Sequence, residues 1–296
     1  MPTSLSHPLA RPPSEPLGPS GDELRTLVEW ALQEDIGRGD LTTRLTVAEN
    51  LRARGTFYSK ETLVVAGLPV AAEVFRELDP ASRWIPNAED GQEVEAKTKL
   101  ATVEGRAAAL FSGERVSLNF IQKLSGIATL TRRLKAQLAG LNTQLLDTRK
   151  TTPGLRILEK YAVRIGGGRN HRLRLDDEIL IKNNHLRLAG GITAAVDNAR
   201  RNRPEGFEVE VEVRTLTELE EAIAAGAEAV LLDNMTPEQV AECVKLAQGK
   251  VEIEVSGGIN WANIRTYAET GVDYISVGAL THSAQAVDIH FLIEPV

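Results

Sequence analysis

The sequence predicts an α/β protein in which an N-terminal α+β segment precedes a (β/α) barrel, closed or incomplete. From Gln144 onward, short apolar runs alternate with helical patterns, which is typical of parallel βαβ units. The number of these units favours a barrel over a doubly wound open sheet. The 296 residues, 42% hydrophobic and 25% charged, are enough for a barrel with a smaller companion domain.

Composition limits the partners and the compartment. A net charge of −7 argues against a nucleic acid or an anionic membrane as the partner of the whole surface. Cys243 is the single cysteine, so no disulfide forms within the chain, and a reducing compartment, the cytoplasm, is predicted. No apolar run approaches the roughly 20 residues that cross a bilayer, and there is no secretory apolar core. We therefore expect a protein that is neither exported nor inserted into a membrane.

The N-terminal elements follow in order along the chain. Residues 1–19 contain six of the thirteen prolines and are predicted to form a disordered tail. A capping-box pattern at residues 20–23 begins a helix, and a strand and a second helix are predicted over residues 55–59 and 69–78. An apolar stripe at helical spacing then predicts a long helix over residues 112–140 that bridges two domains.

The barrel elements are predicted by short apolar runs with helical patterns between them. The predicted strands are QLLD, EILIK, EVEVEV, AVLLD, VEIEV and DYISV, and two clear helices are Leu216–Ala225 and Pro237–Ala247. In (β/α) barrels the functional residues lie where strands end and the following loops begin. The residues in those positions therefore carry the functional prediction.

Cations are concentrated in one part of the chain. From Arg149 to Arg187 there are ten Lys or Arg against four Asp or Glu, a local charge of +6, which leaves −13 for the rest of the net −7. Three of these cations, Arg156, Lys160 and Arg164, recur every four residues and are predicted to solvate a helix face. The loop LLDTRKTTPG would be an ordinary solvated loop if it stood alone, but this concentration favours a binding site.

Five basic residues of this part of the chain lie beside strand ends or glycine-rich turns such as GGGRNHRLRLDD, where side chains can converge. They are Arg149, Lys150, His171, Arg172 and Lys182. Arginine binds carboxylate or phosphate through a planar fork, and lysine adds a compact charge, so the predicted ligand is a polyanion. A nucleic-acid groove is disfavoured because only Tyr161 supplies aromatic surface across this span.

Two further patterns complete the candidate site. The glycine turns VSGGIN and SVGALTHSA follow predicted strands, and either they are ordinary turns or their N–H groups hold a phosphate. Glu212 in VEVRT and Asp233 in LLDNM stand at strand ends. These acids either balance the cations, or hold sugar hydroxyls or Mg²⁺ and face positive charge that develops on a sugar carbon.

These motifs together resemble one enzyme family. FSGERVSLNFIQKLSGIATLT, DTRKTTPG, GGGRNHRLRLDD, LIKNNH, VEVRT, LLDNM and VGALTHSA are similar, in order, to motifs of quinolinate phosphoribosyltransferase, the carboxylating nicotinate-nucleotide pyrophosphorylase. The similarity extends from about Asp35 to Leu292. It implies an N-terminal α/β sandwich domain, an open barrel of roughly seven strands, and a homodimer, or a higher oligomer, with shared active sites. The implied domains are residues 20–140 with the long bridging helix, 141–280 as the barrel, and 281–296 packing back on the N-terminal domain.

The resemblance also implies a reaction and roles for residues. Quinolinate and 5-phosphoribosyl 1-pyrophosphate would give nicotinate mononucleotide, pyrophosphate and CO2, with Mg²⁺. Arg149, His171, Arg172 and Lys182 would bind the two carboxylates of quinolinate, with Arg115 supplied by the partner subunit. Lys150, Glu212 and Asp233 would be catalytic, the two acids also holding part of the Mg²⁺ shell. The residues implied for the 5-phosphate are Ser256, Gly257, Gly258, Gly278 and His282.

Two other functions stay open from the residues alone. The first is a related phosphoribosyltransferase acting on nicotinate or another anionic ring, although a monocarboxylate does not need so many cations. The second is a non-catalytic phosphosugar-binding barrel, against which the presence of Glu212 and Asp233 argues.

Overall fold

The computed structural model describes Gly18 and residues 21–296. The predicted tail, apart from Gly18, and Ser20 of the predicted capping box lie outside the described residues. Contacts divide the described chain into two compact units. The barrel unit contains Arg133–Lys150 and Gly168–His282, and the sheet unit contains the described residues up to Arg132 together with Thr151–Gly167 and Ser283–Val296.

The sheet unit is built on a four-stranded antiparallel sheet of order β12-β1-β5-β3. Its strands are β1 (Arg52–Ser59), β3 (Arg83–Pro86), β5 (Lys99–Arg106) and β12 (Ile289–Pro295), and a separate pair is formed by β2 (Leu63–Val64) and β4 (Glu93–Val94). Its helices are α1 (Gly21–Ile36), α2 (Leu41–Thr46), α3 (Leu68–Leu78) and α5 (Arg156–Ile165). The core contains the rings of Phe57, Phe75 and Phe291, with Phe57 and Phe291 only 4.3 Å apart. Aromatic rings bury large apolar areas, so this cluster joins the strands to α3.

The long predicted helix is α4 (Ala107–Gln137), whose last residues belong to the barrel unit. It begins five residues before the predicted start at Ser112, because β5 leads directly into it at Arg106. Buried hydroxyls on its inner face satisfy backbone groups: Ala66 N donates to Ser125 Oγ at 2.9 Å and Val64 N to Thr129 Oγ1 at 2.8 Å. Since a buried amide without a partner is costly, these bonds fix α4 against β2.

The barrel unit is built on a six-stranded parallel sheet of order β6-β11-β10-β9-β8-β7. Its strands are β6 (Gln144–Leu146), β7 (Ile179–Ile181), β8 (Val209–Val213), β9 (Ala229–Asp233), β10 (Glu252–Ser256) and β11 (Tyr274–Ser276). A parallel bridge between Leu146 and Arg169 adds a seventh strand position beside β6. The predicted α/β class, with a small N-terminal sheet domain and a C-terminal domain of parallel strands, is confirmed.

Helices join the parallel strands, as right-handed crossovers require. They are α6 (Asn183–Ala189), α7 (Ile192–Asn202), α8 (Leu216–Ala225), α9 (Pro237–Ala247), α10 (Ile264–Ala268) and α11 (Ala279–His282). The bounds predicted for α8 and α9 match because their first turns carry local signals: Thr215 and Thr236 accept hydrogen bonds from the backbone N–H three residues on. Pro237 stands at the first position of α9, where its fixed φ suits a helix.

One face of the parallel sheet is acidic. Glu212 lies in register with Leu231 of β9 and through it with Glu254 of β10. Successive residues of a strand point to opposite faces, so Glu210 shares the face of Glu212. Asp233 continues that face at the end of β9. Carboxylates therefore lie on this sheet face at several positions along the strand direction.

Two features differ from the sequence-based picture. Lys160 is only 2% exposed, so its predicted place on a solvated helix face is wrong; residues 158–163 of α5 are all buried, which leaves this part of the helix without a solvent face. The contact-defined units also depart from the implied boundaries, because Thr151–Gly167 groups with the sheet unit. Within the described residues, no helix has the length and apolarity needed to cross a membrane.

Candidate active site

The turn that carries His171 is fixed at the end of β6. Asp147 is fully buried there, and its carboxylate accepts hydrogen bonds from His171 N at 2.9 Å and from Asn170 Nδ2 at 2.5 Å. The backbone of Asp147 donates to Arg169 O at 3.1 Å. Gly167, just before this segment, has φ +92°, a conformation that favours glycine. The glycine run thus lets the chain turn onto the strand end, where Asp147 holds it.

The imidazole of His171 is surrounded by carboxylates. It is 6% exposed, with Nδ1 3.1 Å from Glu178 Oε2 and Nε2 3.4 Å from one oxygen each of Glu210 and Glu254. Burial lowers the pKa of His171, but the three carboxylates outweigh it and hold that pKa well above the usual range. Burial and the neighbouring Glu210 raise the pKa of Glu254 to about 8. The group therefore retains protons at neutral pH.

Arg172 follows His171 and is itself buried, with 7% of its surface exposed. Its backbone N–H lies 2.7 Å from His171 Nδ1 and 3.2 Å from Glu178 Oε2, and its Nη1 donates to Glu178 O at 3.2 Å. Burial, followed by repulsion from Arg149, lowers the pKa of the Arg172 guanidinium. Two like charges are thus held near each other in a partly desolvated place, which favours an anionic ligand between or beside them.

A second group joins two acids with two cations. Lys182 Nζ lies 3.2 Å from Glu212 Oε2, and Arg214 donates to Asp233 Oδ2 from Nε at 3.1 Å and from Nη2 at 3.0 Å. Arg214 Nη2 also lies 3.9 Å from Glu212 Oε1. Asn183 Nδ2 makes a short hydrogen bond to Glu212 Oε1. Arg214 therefore bridges the two predicted catalytic acids, and Lys182 is paired with one of them.

The predicted phosphate-binding residues lie in two turns at the same end of the sheet. Gly257 has φ +104°, and a side chain there would collide with the Asn234 amide, so only glycine fits. In the other turn, a Cβ at Gly278 would lie 2.9 Å from Lys150 Cδ and 3.2 Å from the His282 ring. Lys150 and His282 thus flank Gly278, and Thr281 Oγ1 lies 2.8 Å from Lys150 O and 3.2 Å from Gly278 O, which links the two loops.

Arg115 lies on α4 of the sheet unit and is exposed. The resemblance assigns it to the site of a partner subunit, and this role stays a prediction.

Two sets of side chains could hold a metal ion. Glu212 and Asp233 offer carboxylate oxygens at strand ends, with Asp233 partly exposed. His171, Glu210 and Glu254 are buried and place one ligand-type atom each within 4.8 Å of the others. Mg²⁺ binds oxygen, keeps several waters and uses one or two carboxylates together with substrate phosphates. Glu212 and Asp233 therefore fit Mg²⁺ better than the enclosed set does.

Five residues of the His171 group and of the Glu212–Asp233 group were not identified from the sequence: Glu178, Asn183, Glu210, Arg214 and Glu254. Arg214 stands inside the quoted motif VEVRT, from which only the glutamate was used. Glu210 and Glu254 had a visible signal, because EVEVEV and VEIEV alternate glutamate with apolar residues. Strands of parallel sheets covered on both faces usually read as continuous apolar runs. The alternation therefore indicated an interior face lined by charge.

A parallel barrel-type sheet whose strand ends carry clustered cations, paired acids and glycine turns defines an enzyme acting on a polyanionic substrate. Residues 40–125 match the N-terminal domain and residues 127–292 the C-terminal domain described as quinolinate phosphoribosyl transferase. The chain therefore belongs to the quinolinate phosphoribosyltransferase family.

Proteins of similar sequence match this chain over most of its length. A protein of Synechocystis sp. described as a probable carboxylating nicotinate-nucleotide pyrophosphorylase is 47% identical over 256 residues, 86% of either chain. A Bacillus subtilis protein of the same description is 43% identical over 267 residues, 90% of this chain and 92% of the relative. The solved nicotinate-nucleotide pyrophosphorylase of Francisella tularensis superposes with a TM-score of 0.87 at 41% identity, over 95% of this chain and 98% of the other.

Proposed function

We propose that the chain joins quinolinate to 5-phosphoribosyl 1-pyrophosphate and releases pyrophosphate and CO2, giving nicotinate mononucleotide for NAD biosynthesis. The observation that supports the substrate choice is the buried guanidinium of Arg172 beside Arg149. Burial of Arg172, followed by repulsion from Arg149, lowers the Arg172 pKa, so keeping both groups charged there has a cost. A ring with two adjacent carboxylates relieves that cost and orients the ring nitrogen towards the sugar.

The acids serve the other substrate. Glu212 and Asp233 would face the ribose and would hold Mg²⁺, while Lys150 would add positive charge at the leaving group. When bound, Mg²⁺ neutralises charge that develops on the pyrophosphate. In the structure the two acids pair with Lys182 and Arg214. Binding of a dicarboxylate and a polyphosphate would change these ion pairs, because the anionic substrates compete with Glu212 and Asp233 for Lys182 and Arg214.

The sugar 5-phosphate rests on the two glycine turns. The candidate contacts are Ser256, Gly257, Gly258, Gly278 and His282. The left-handed backbone at Gly257 and Gly258, with φ +104° and +66°, supports this assignment because such turns expose N–H groups to an anion.

The bonds change in two steps. The lone pair of the ring nitrogen forms a bond to ribose C1 while the C1–oxygen bond breaks, and that electron pair leaves with pyrophosphate. The alkylated ring nitrogen is cationic, so it stabilises the electron pair left on the ring carbon when the adjacent carboxylate departs as CO2. A proton then replaces the carboxylate. The residues named here bind and orient both substrates for these steps.

The same proposal includes a homodimer, or a higher oligomer, in which Arg115 of one subunit completes the site of another, and a cytoplasmic location. The exposure of Arg115 on α4 and the single buried Cys243 support these two points.

The test supplies the purified protein with 5-phosphoribosyl 1-pyrophosphate, Mg²⁺ and either quinolinate or nicotinate. We expect nicotinate mononucleotide and CO2 from quinolinate, with a far higher kcat/KM than for nicotinate, because a monocarboxylate leaves one part of the cation cluster unpaired. Similar kcat/KM values for the two rings would refute the substrate assignment. Binding of both substrates without any product would favour the phosphosugar-binding alternative.

A further inference from the structure

Glu210 and Glu254 are interior glutamates for which the transfer reaction gives no direct use. Glu210 is 2% exposed and Glu254 is fully buried. No oxygen of either carboxylate makes a hydrogen bond of ordinary geometry within the described part of the chain. Buried carboxylates are costly unless a charge offsets them, so their presence needs a physical reason.

That reason lies in the imidazole of His171. Its Nε2 stands 3.4 Å from Glu210 Oε2 and 3.4 Å from Glu254 Oε2, while its Nδ1 stands 3.1 Å from Glu178 Oε2. Carboxylates therefore face both ring nitrogens. The two interior glutamates belong to strands β8 and β10, which are rigid elements of the sheet. They define the position and tilt of the ring from the inner side.

The orientation of the ring is linked to Arg172 through Glu178. The Arg172 backbone N–H donates to Glu178 Oε2 at 3.2 Å, the same oxygen that lies 3.1 Å from His171 Nδ1, and the Arg172 guanidinium donates to Glu178 O. A shift of the ring would therefore move the backbone from which the Arg172 side chain extends. Substrate-binding groups need support of this kind, because small misplacements cost much of their effect.

We propose that Glu210 and Glu254 are positioning residues for quinolinate, which hold the His171 ring and through it the Arg172 guanidinium without touching the substrate. The inference rests on the proposed role of Arg172 in binding a carboxylate of quinolinate. It assigns the acidic interior of the sheet to the dicarboxylate and not to the phosphoribosyl donor.

The test compares Glu254→Gln and Glu210→Gln with Glu252→Gln in the full chain. Glu252 is the matched control, because it lies on β10 and on the same sheet face, two residues before Glu254. Steady-state kinetics are measured with each substrate varied in turn at about pH 9, above the Glu254 pKa of about 8, so that glutamine replaces an ionised carboxylate. Replacing a carboxylate that orients a metal-binding histidine typically changes metal affinity or activity by about 10- to 100-fold, and we expect a similar scale for a carboxylate that orients a substrate-binding histidine. We expect KM for quinolinate to rise by about tenfold or more in the two test variants, with kcat and the KM for 5-phosphoribosyl 1-pyrophosphate within about twofold.

Several results would overturn the proposal. The proposal would be refuted if Glu210→Gln and Glu254→Gln had the same KM for quinolinate as the control Glu252→Gln. Equal losses for both substrates, in proportion to the folded fraction measured by circular dichroism, would show a structural role alone. A stoichiometric divalent metal in the wild type that is lost in Glu254→Gln would assign the group to an ion. The double variant His171→Gln with Glu254→Gln must also be no worse than His171→Gln alone, because Glu254 acts through the ring.

A further variant separates this inference from the proposed function. Arg172→Lys keeps the charge but loses the planar fork, so it should raise KM for quinolinate if Arg172 binds a carboxylate. No change in Arg172→Lys would refute the substrate role of Arg172. A large change there, with none in Glu210→Gln and Glu254→Gln, would refute only the positioning role.

Discussion

Replacing Glu254 with glutamine should change how stability depends on pH. The side chain is fully buried, and burial together with the neighbouring Glu210 raises its pKa from 4.5 to about 8. Between these two values the folded protein keeps a proton that the unfolded chain releases. The contribution of the Glu254 carboxyl group to stability is therefore fully present below its pKa in the unfolded chain. It is lost as the pH rises through its pKa in the folded protein.

The size of the effect follows from the proton count. One extra proton bound in the folded state corresponds to about 1.4 kcal/mol of unfolding free energy per pH unit. From about pH 5.5 to about pH 7.5 the wild type should thus lose about 3 kcal/mol relative to the glutamine variant, which does not titrate. The same carboxylates hold the His171 pKa above its usual range, so its contribution has the same sign.

Urea unfolding followed by circular dichroism at several pH values between about 5.5 and 8.5 measures this difference. Glu269→Gln is the control, because Glu269 is exposed and pairs only on the surface with Arg265. The difference in unfolding free energy between Glu269→Gln and the wild type should not change with pH. Parallel pH profiles for the wild type and Glu254→Gln would refute the reasoning, because they would mean that Glu254 ionises in the folded protein as easily as in the unfolded chain.

Two further predictions concern turnover. Asp233→Ala should lower kcat by about a hundredfold or more while the Kd for quinolinate, measured by calorimetry, stays near the wild-type value, because the carboxylate acts on the ribose, the metal and the transition state. Lost quinolinate affinity with normal kcat would contradict that role. Arg115→Ala and Lys182→Ala should each cost on the order of 2 to 5 kcal/mol, since a substrate carboxylate is left unpaired. When the two inactive variants are mixed, activity should partly return, because a heterodimer contains one site with neither lesion; no recovery, with subunit exchange verified by mass, would remove Arg115 from a shared site.

Much of the fold could be predicted from local patterns. The bounds of α8 and α9 followed from threonine caps and a first-turn proline, which are signals within a few residues of each helix end. The predicted start of α4 at Ser112 was wrong. A serine often begins a helix, but here β5 passes directly into α4 at Ala107. Only the pairing of β5 with its neighbours decides that boundary, and this pairing is not local.

The candidate site shows a similar division. Lys182, Glu212 and Asp233 were predicted as site residues from their places at strand ends, and the structure places Lys182 Nζ 3.2 Å from Glu212 Oε2. The role of Arg214 could not be predicted, because its contact with Asp233 joins the ends of two strands that are adjacent only in the folded sheet. Residue type and strand position indicate where chemistry occurs, whereas the partner of each charge depends on the register between strands.

The last strand gives the sheet unit an unusual order of assembly. β12 pairs with β1 from Ala53↔Pro295 to Ser59↔Ile289, so neighbours in one sheet are separated by all the strands of the barrel unit. During synthesis on the ribosome, β1 must wait with one edge unpaired until β12 emerges. Exposed strand edges invite pairing with other chains, and contacts of large sequence separation form slowly. The nascent sheet unit is therefore the part of this enzyme for which a chaperone would matter most, although most of its residues are made first.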